Sequence, residues 1–223
     1  MLADRIRVLF EDDAVIVVDK PAGLLTMATE TERTRTVYAL LREAANRKRP
    51  PEKIFIVHRL DREASGMLVF AKTIEAKEKL QDQFKDHSAG RKYVAVVEGR
   101  MSPDNFTIRS YLAENAALRV YSTKKKAAGK VAVTHVRVIR ADSKMTLVEV
   151  RLETGRKHQI RVHLAERGHP VVGDKIYGSR SNPLRRLALH GAELEFRHPL
   201  TERLMHFETR VPKAFSGLIR SGN

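Results

Sequence analysis

The chain has 223 residues, 42 Lys and Arg against 27 Asp and Glu, and a formal charge of +15 at pH 7. Cysteine is absent, which excludes disulfides, thiolate nucleophiles and thiolate metal sites together. No run approaches the roughly 18 apolar residues of a membrane helix, and the opening "MLADRIRVLFEDD" lacks an apolar signal core, so a soluble cytoplasmic protein without a membrane partner is expected.

Hydrophobic content of 42% and charged content of 31% fit a globular fold. A chain of this length buries roughly 70% of its unfolded surface, in one large domain or two small ones. The basic excess points to a polyanionic partner without naming it, or to charge that serves solubility.

In chain order, "RIRVLFEDDAVIVVDKPAG" predicts two short strands around an Asp12-Asp13 turn, ending in a Pro21/Gly23 loop. "TVYALLREAANRKR" has helical spacing and runs into a basic loop closed by Pro50-Pro51. "MLVFAK" reads as a strand, and Thr73 as the cap of a helix over "IEAKEKLQDQFKDH". "RKYVAVVEG" alternates as a strand does. Further strands follow from about 106 to 153, with a hairpin around "RADSKM". "HQIRVHLAERG" predicts a helix stopped by Gly168. Strands "LALHGAELEF" and "MHFETRV" and a short helix finish the chain. Strands outnumber helices without alternating strictly with them. An α+β fold with a largely antiparallel sheet is therefore expected, as one domain.

"HRLDREASGMLVFAK", residues 58–72, sets His58, Arg59, Asp61 and Arg62 against a Ser65-Gly66 turn and an apolar strand. Cations on both sides favour an ionised Asp61, which fits either a nucleophile or a structural ion pair. In "ETGRKHQIRVHLAERGHPVVGDKIYG", residues 153–178, Arg156 precedes a helix that carries Arg161. At about 100° per residue, His158, Arg161 and Ala165 share a face, from which Arg161 could reach a carboxylate or simply meet phosphates. His158 and His163 are five residues apart and cannot chelate one ion, and no His-Glu-x-x-His motif occurs, so no catalytic metal is expected. Tyr93 can stack on an unpaired base or pack in a core. Lys124, Lys125 and Lys126, in the cationic loop "STKKKAAGK", can meet phosphates or face solvent.

"DKPAGLLT", "HRLDREASGMLVFAK", "KYVAVVEG", "TGRKHQIRVHLAERGHPVVGDKIYG" and "LHGAELEFRHPLT" occur in one order across residues 19–201. In these blocks the chain resembles the RluA-type pseudouridine synthases. The resemblance implies isomerisation of uridine in structured RNA, ribosomal or transfer, with no metal and no cofactor. It implies a mixed, largely antiparallel sheet in two halves with flanking helices and a central catalytic cleft. By position, Asp61 matches the catalytic aspartate, Arg161 the arginine that pairs with it, and Tyr93 the tyrosine that stacks on the target base. Arg59 matches an arginine that helps replace the flipped base, and Ile160 a cleft-lining aliphatic. With these, His58, Arg62, Arg156 and Lys124–Lys126 are candidate substrate contacts. Ala64 stands where the family usually has threonine. Many members carry an N-terminal S4-type RNA-binding domain; the first block begins at Asp19, so none is expected here. A monomer without an obligate protein partner completes the expectation.

Overall fold

The computed structural model describes residues 6–219. In chain order these form β1 (Arg7–Glu11), β2 (Val15–Lys20), α1 (Val37–Asn46), β3 (Phe55–Ile56), β4 (Ser65–Ala71), α2 (Ile74–Lys85), β5 (Gly90–Glu98), β6 (Asn105–Glu114), β7 (Val120–Thr123), β8 (Lys130–Ala141), β9 (Met145–Leu152), α3 (Gln159–Glu166), β10 (Leu189–Arg197), β11 (Leu204–Glu208) and α4 (Lys213–Gly217). A short 3-10 turn lies at Lys126–Ala128. This is an α+β chain, as its patterning predicts, and no helix is long and apolar enough to cross a membrane among the described residues.

Two compact units interleave along the sequence. The first takes the chain up to Gly90 and again Gly191–Thr209. The second takes Arg91–His190 and the chain from Arg210 onward.

In the first unit β1 pairs with β2 and β2 with β4, both antiparallel, while β3 adds to β4 and β11 to β10. The Asp12 carboxylate closes the first turn by accepting from the Ala14 and Val15 amides. Every residue of β4 is buried, as a strand covered on both faces requires, and its Val and Phe side chains suit that position. Val15, Val17, Met67, Val69, Leu194 and Phe196 build a core with Ala76 and Leu80 of α2. Thr36 and Thr73 cap α1 and α2 by accepting from the amides of Ala39 and Ala76, both at 3.0 Å. At Gly66 the backbone is left-handed (φ 127°), and an added Cβ would sit 2.4 Å from the Gly191 backbone. β4 and β10 can approach so closely because residue 66 carries no Cβ.

The second unit is an antiparallel sheet in the order β5-β9-β8-β6-β7. The predicted hairpin around residues 140–145 is the β8–β9 turn, where Asp142 accepts from the Lys144 and Met145 amides. α3 lies on one face of this sheet, with Val162 packed among Leu112, Val120, Ala132 and Tyr177. Its expected boundaries need one correction. His158 is outside the helix, in a left-handed conformation (φ 53°) at the N-cap, and so does not share a helical face with Arg161 and Ala165. The helix is also less amphipathic than its pattern implies, because Gln159, Arg161 and His163 are buried with Ile160, Val162 and Leu164. Gly168 follows its end at φ 84°, as a C-terminal stop does.

Candidate active site

In the first unit Asp61 stands, half-buried, in the loop that leads into β4. The neighbours on either side of it are clamped by the loop that follows β2. The Thr26 hydroxyl donates to the Leu60 carbonyl at 3.0 Å and accepts from the Leu60 amide at 3.1 Å. On the other side, the Arg62 carbonyl accepts from the Gly23 amide at 2.7 Å and from Lys20 Nζ at 3.2 Å. Lys20 is fully buried, and its ammonium also donates to the carbonyls of Pro21 and Leu24. A buried ammonium is tolerated only when it is well hydrogen-bonded, and here it gathers two segments of the chain around one point. Gly23, at φ 87°, makes the turn that brings its amide to Arg62.

His58 stacks on Phe84 with centroids 4.3 Å apart, and its Nε2 accepts from the Val69 amide at 3.2 Å. Arg59 and Arg62 are exposed, and Arg62 Nε donates to the Gly23 carbonyl. Thus "DKPAGLLT" and "HRLDREASG" form one scaffold, although 34 to 42 residues separate the bonded positions.

Arg161 and Tyr93 belong to the second unit. Arg161 is 2% exposed, and its Nε and Nη2 donate to the two oxygens of Asp174 at 2.7 and 2.9 Å. The Tyr177 amide donates to the same carboxylate, and the Tyr177 ring lies 5.2 Å from the guanidinium. The Tyr177 hydroxyl bonds His158 Nδ1 at 2.8 Å and accepts from the Val120 amide at 3.3 Å. Asp174 and Tyr177 lie inside the motif that singles out Arg161, but no periodicity marks them as its partners. Tyr93 is buried, opposite Val150. Val150 is opposite Val136, and Thr134, two residues on, bonds Gln159 and His163 of α3. Alternation therefore puts Tyr93 on the sheet face that carries α3.

Ile160 is buried in α3. Arg156 precedes the helix, with its amide bonded to Gln159 Oε1 and its Nε to the Val131 carbonyl. A groove of about 530 Å³ has Arg156, Lys157, Lys130 and the segment Ala127–Gly129 in its walls. Lys124, Lys125 and Lys126 are exposed, and Lys124 lines a neighbouring depression of about 610 Å³. Arg156 and the cationic loop, 30 residues apart in sequence, are thus drawn to adjoining surfaces.

Burial pushes the His163 imidazole down to about 4, against a weak opposing pull from Glu166. Its two nitrogens meet hydroxyls, Nδ1 that of Thr134 at 2.8 Å and Nε2 that of Ser110 at 2.9 Å, so the neutral ring is well served. Burial also pushes His190 down to about 4, and the Arg186 cation adds to the effect. No cluster of three or more His, Asp and Glu among the described residues is arranged to hold a metal ion.

The family model for RNA pseudouridylate synthases matches residues 14–166, which take in the Asp61 loop, β5 and α3. The uncharacterized RNA pseudouridine synthase YhcT of Bacillus subtilis is 38% identical over 96% of this chain and 71% of its own length. Ribosomal large subunit pseudouridine synthase D of Pseudomonas aeruginosa is 38% identical over the same shares, and its namesake from Nitrosomonas europaea is 37% identical over 97% of this chain and 65% of its own. The fold is that of the human RNA pseudouridylate synthase domain containing 4, with a TM-score of 0.76 and 22% identity over 94% of this chain and 90% of that one. The chain belongs to the RNA pseudouridylate synthase family, among its RluA-type pseudouridine synthases.

Proposed function

We propose that this chain isomerises uridine in structured ribosomal RNA of the large subunit, with Asp61 as the catalytic carboxylate and both units serving as one catalytic domain. The observation that carries the reading is the clamp on Leu60 and Arg62, which fixes the backbone on both sides of an aspartate flanked by exposed arginines. Preorganisation of this kind is what a reacting group requires, because misplacement by about 1 Å can cost roughly 100-fold in rate. The substrate class follows the relatives named for the ribosomal large subunit.

The uridine leaves its stack at a cost of a few kcal/mol, least in loops and bulges. Asp61 attacks the nucleoside or removes a proton from it, the N1–C1′ bond breaks, and the freed uracil turns in place; any bond made to Asp61 breaks, or the proton it took is returned, as the new glycosidic bond forms. C5 then bonds to C1′, the C5 proton departs, and N1 takes up a proton. Apart from a proton exchanged with water, no atoms or electrons pass to or from another reagent, so the reaction calls for no cofactor. Tyr93 stacks on the base and assists loss of the C5 proton, while Arg161 orients the carboxylate. Arg59, Arg62, His58, Arg156, Ile160 and Lys124–Lys126 contact the RNA. The enzyme acts in the cytoplasm as a monomer.

Tritium release from RNA labelled at uridine C5 tests this directly, with unmodified ribosomal RNA and transfer RNA offered separately. Wild type releases tritium from ribosomal RNA, and Asp61→Asn lowers the rate by roughly 1,000-fold or more, the scale on which loss of a covalent catalyst is felt. Equal release by the variant removes Asp61 from the mechanism. Release from transfer RNA alone moves the substrate.

A further inference from the structure

The tip of the β6–β7 hairpin carries two costs at one residue. Leu118 is 68% exposed, the largest value among the large hydrophobic side chains described, and its backbone is left-handed (φ 58°). The hairpin demands that conformation. The Leu118 amide donates to the Asn115 carbonyl at 2.9 Å, the Asn115 amide donates to the Arg119 carbonyl at 3.0 Å, and the Arg119 amide donates to the Asn115 side chain at 3.0 Å. This is a tight turn closed by a bulge whose left-handed position is taken by glycine or asparagine without penalty. A leucine here adds backbone strain of about 1 kcal/mol and leaves apolar surface in water.

The tip is also held rigidly. Lys157 Nζ donates to the Leu118 carbonyl at 3.2 Å and pairs with Glu114 at the end of β6. Beneath the other strand, Tyr177 bonds the Val120 amide, and the Arg119 guanidinium lies 5.7 Å from its ring. Glu114, Val120, Lys130, Arg156 and Lys157 all line the 530 Å³ groove. The leucine is therefore a fixed apolar point beside a cationic channel, in a chain of net charge +15.

We propose that Leu118 is a wedge for folded RNA: phosphates follow the groove past Lys130, Arg156 and Lys157, and the leucine side chain inserts against stacked bases and parts them. Rigid apolar side chains flanked by cations unstack base steps in this way, at a few kcal/mol per step. The inference rests on RNA being the ligand, as proposed above, and adds the element that unstacks bases once helical RNA is bound.

The test uses a synthetic RNA hairpin with 2-aminopurine in its helix, whose fluorescence rises when the base unstacks, and an unstructured RNA of the same composition. Binding of wild type raises the hairpin signal. Leu118→Gly keeps hairpin affinity within roughly threefold, since phosphate contacts supply most of the affinity, yet loses most of the rise. Its binding to the unstructured RNA is unchanged, and its melting temperature is equal or higher, because glycine relieves the strain. An equal rise in both proteins, or no rise with wild type, overturns the proposal. The readout is unstacking rather than turnover, so absence of pseudouridine formation would sink the proposed activity and leave this result standing.

Discussion

Thr26 holds the Asp61 loop with one hydroxyl that serves both the amide and the carbonyl of Leu60. Thr26→Val keeps the volume and leaves both groups buried without it, at about 1–3 kcal/mol per unsatisfied group. Turnover falls by roughly tenfold or more while KM stays within about twofold, because the loop that carries Asp61, the proposed catalytic group, loosens and the proposed RNA contacts do not. Steady-state kinetics on ribosomal RNA check this, and equal changes in both constants refute it. Asp174→Asn breaks a buried, bidentate ion pair and lowers unfolding free energy by about 3–5 kcal/mol, as read in urea. Asp61 and Arg161 stand out in the sequence because they lie in dense charged motifs. Lys20, Thr26 and Asp174 do not, because their roles arise from contacts across 13 to 42 residues that no local pattern encodes.

At the level of elements, caps and turns spoke plainly. Thr73 opens α2 as its position implies, and Asp142 closes the hairpin that the polar break at 140–145 predicts. α3 is where local reading misleads. Its polar residues look like a solvated face, yet Gln159 spends its amide on Thr154, Val133 and Thr134, and His163 lies between two hydroxyls. Sequence spacing counts polar residues; it cannot count the partners waiting on a sheet. The contact of β4 with β10 is equally specific. Gly66→Ala drives a Cβ into the Gly191 backbone at a left-handed position, and costs about 3 kcal/mol or more, by clash and strain together. Loss of soluble protein or a sharply lower melting temperature is expected, whereas an unchanged melt would show that the strands can separate.

For the whole molecule, the surface charge and two buried imidazoles set the response to solution conditions. RNA affinity falls by roughly tenfold or more between about 50 and 200 mM salt as phosphate counterions cease to be released, and a flat filter-binding response would contradict this. Stability depends on acid in a defined sense. His163 and His190 titrate near 4 when folded and near their ordinary 6.5 when unfolded, so the unfolded chain binds protons first. Their contribution is complete above about pH 6.5 and is lost as pH falls towards 4, by up to roughly 3 kcal/mol for each ring. Urea midpoints near pH 7.5 and near pH 5 measure that loss, and His163→Gln reduces it by about half.

The interleaving of the two units has a consequence for synthesis on the ribosome. Apart from α4, the second unit is one unbroken stretch, so its sheet is available as soon as residue 190 has left the exit tunnel. The first unit begins earlier and finishes later. β4, with the Asp61 loop at its head, waits for β10 and the glycine it must meet until more than a hundred further residues have been translated. Nascent chains fold by the units they can complete, so the part proposed to do the chemistry is the slower to mature. A growing chain thus spends most of its elongation with an apolar strand uncovered on one edge, which makes β4 the natural place for a chaperone to hold it.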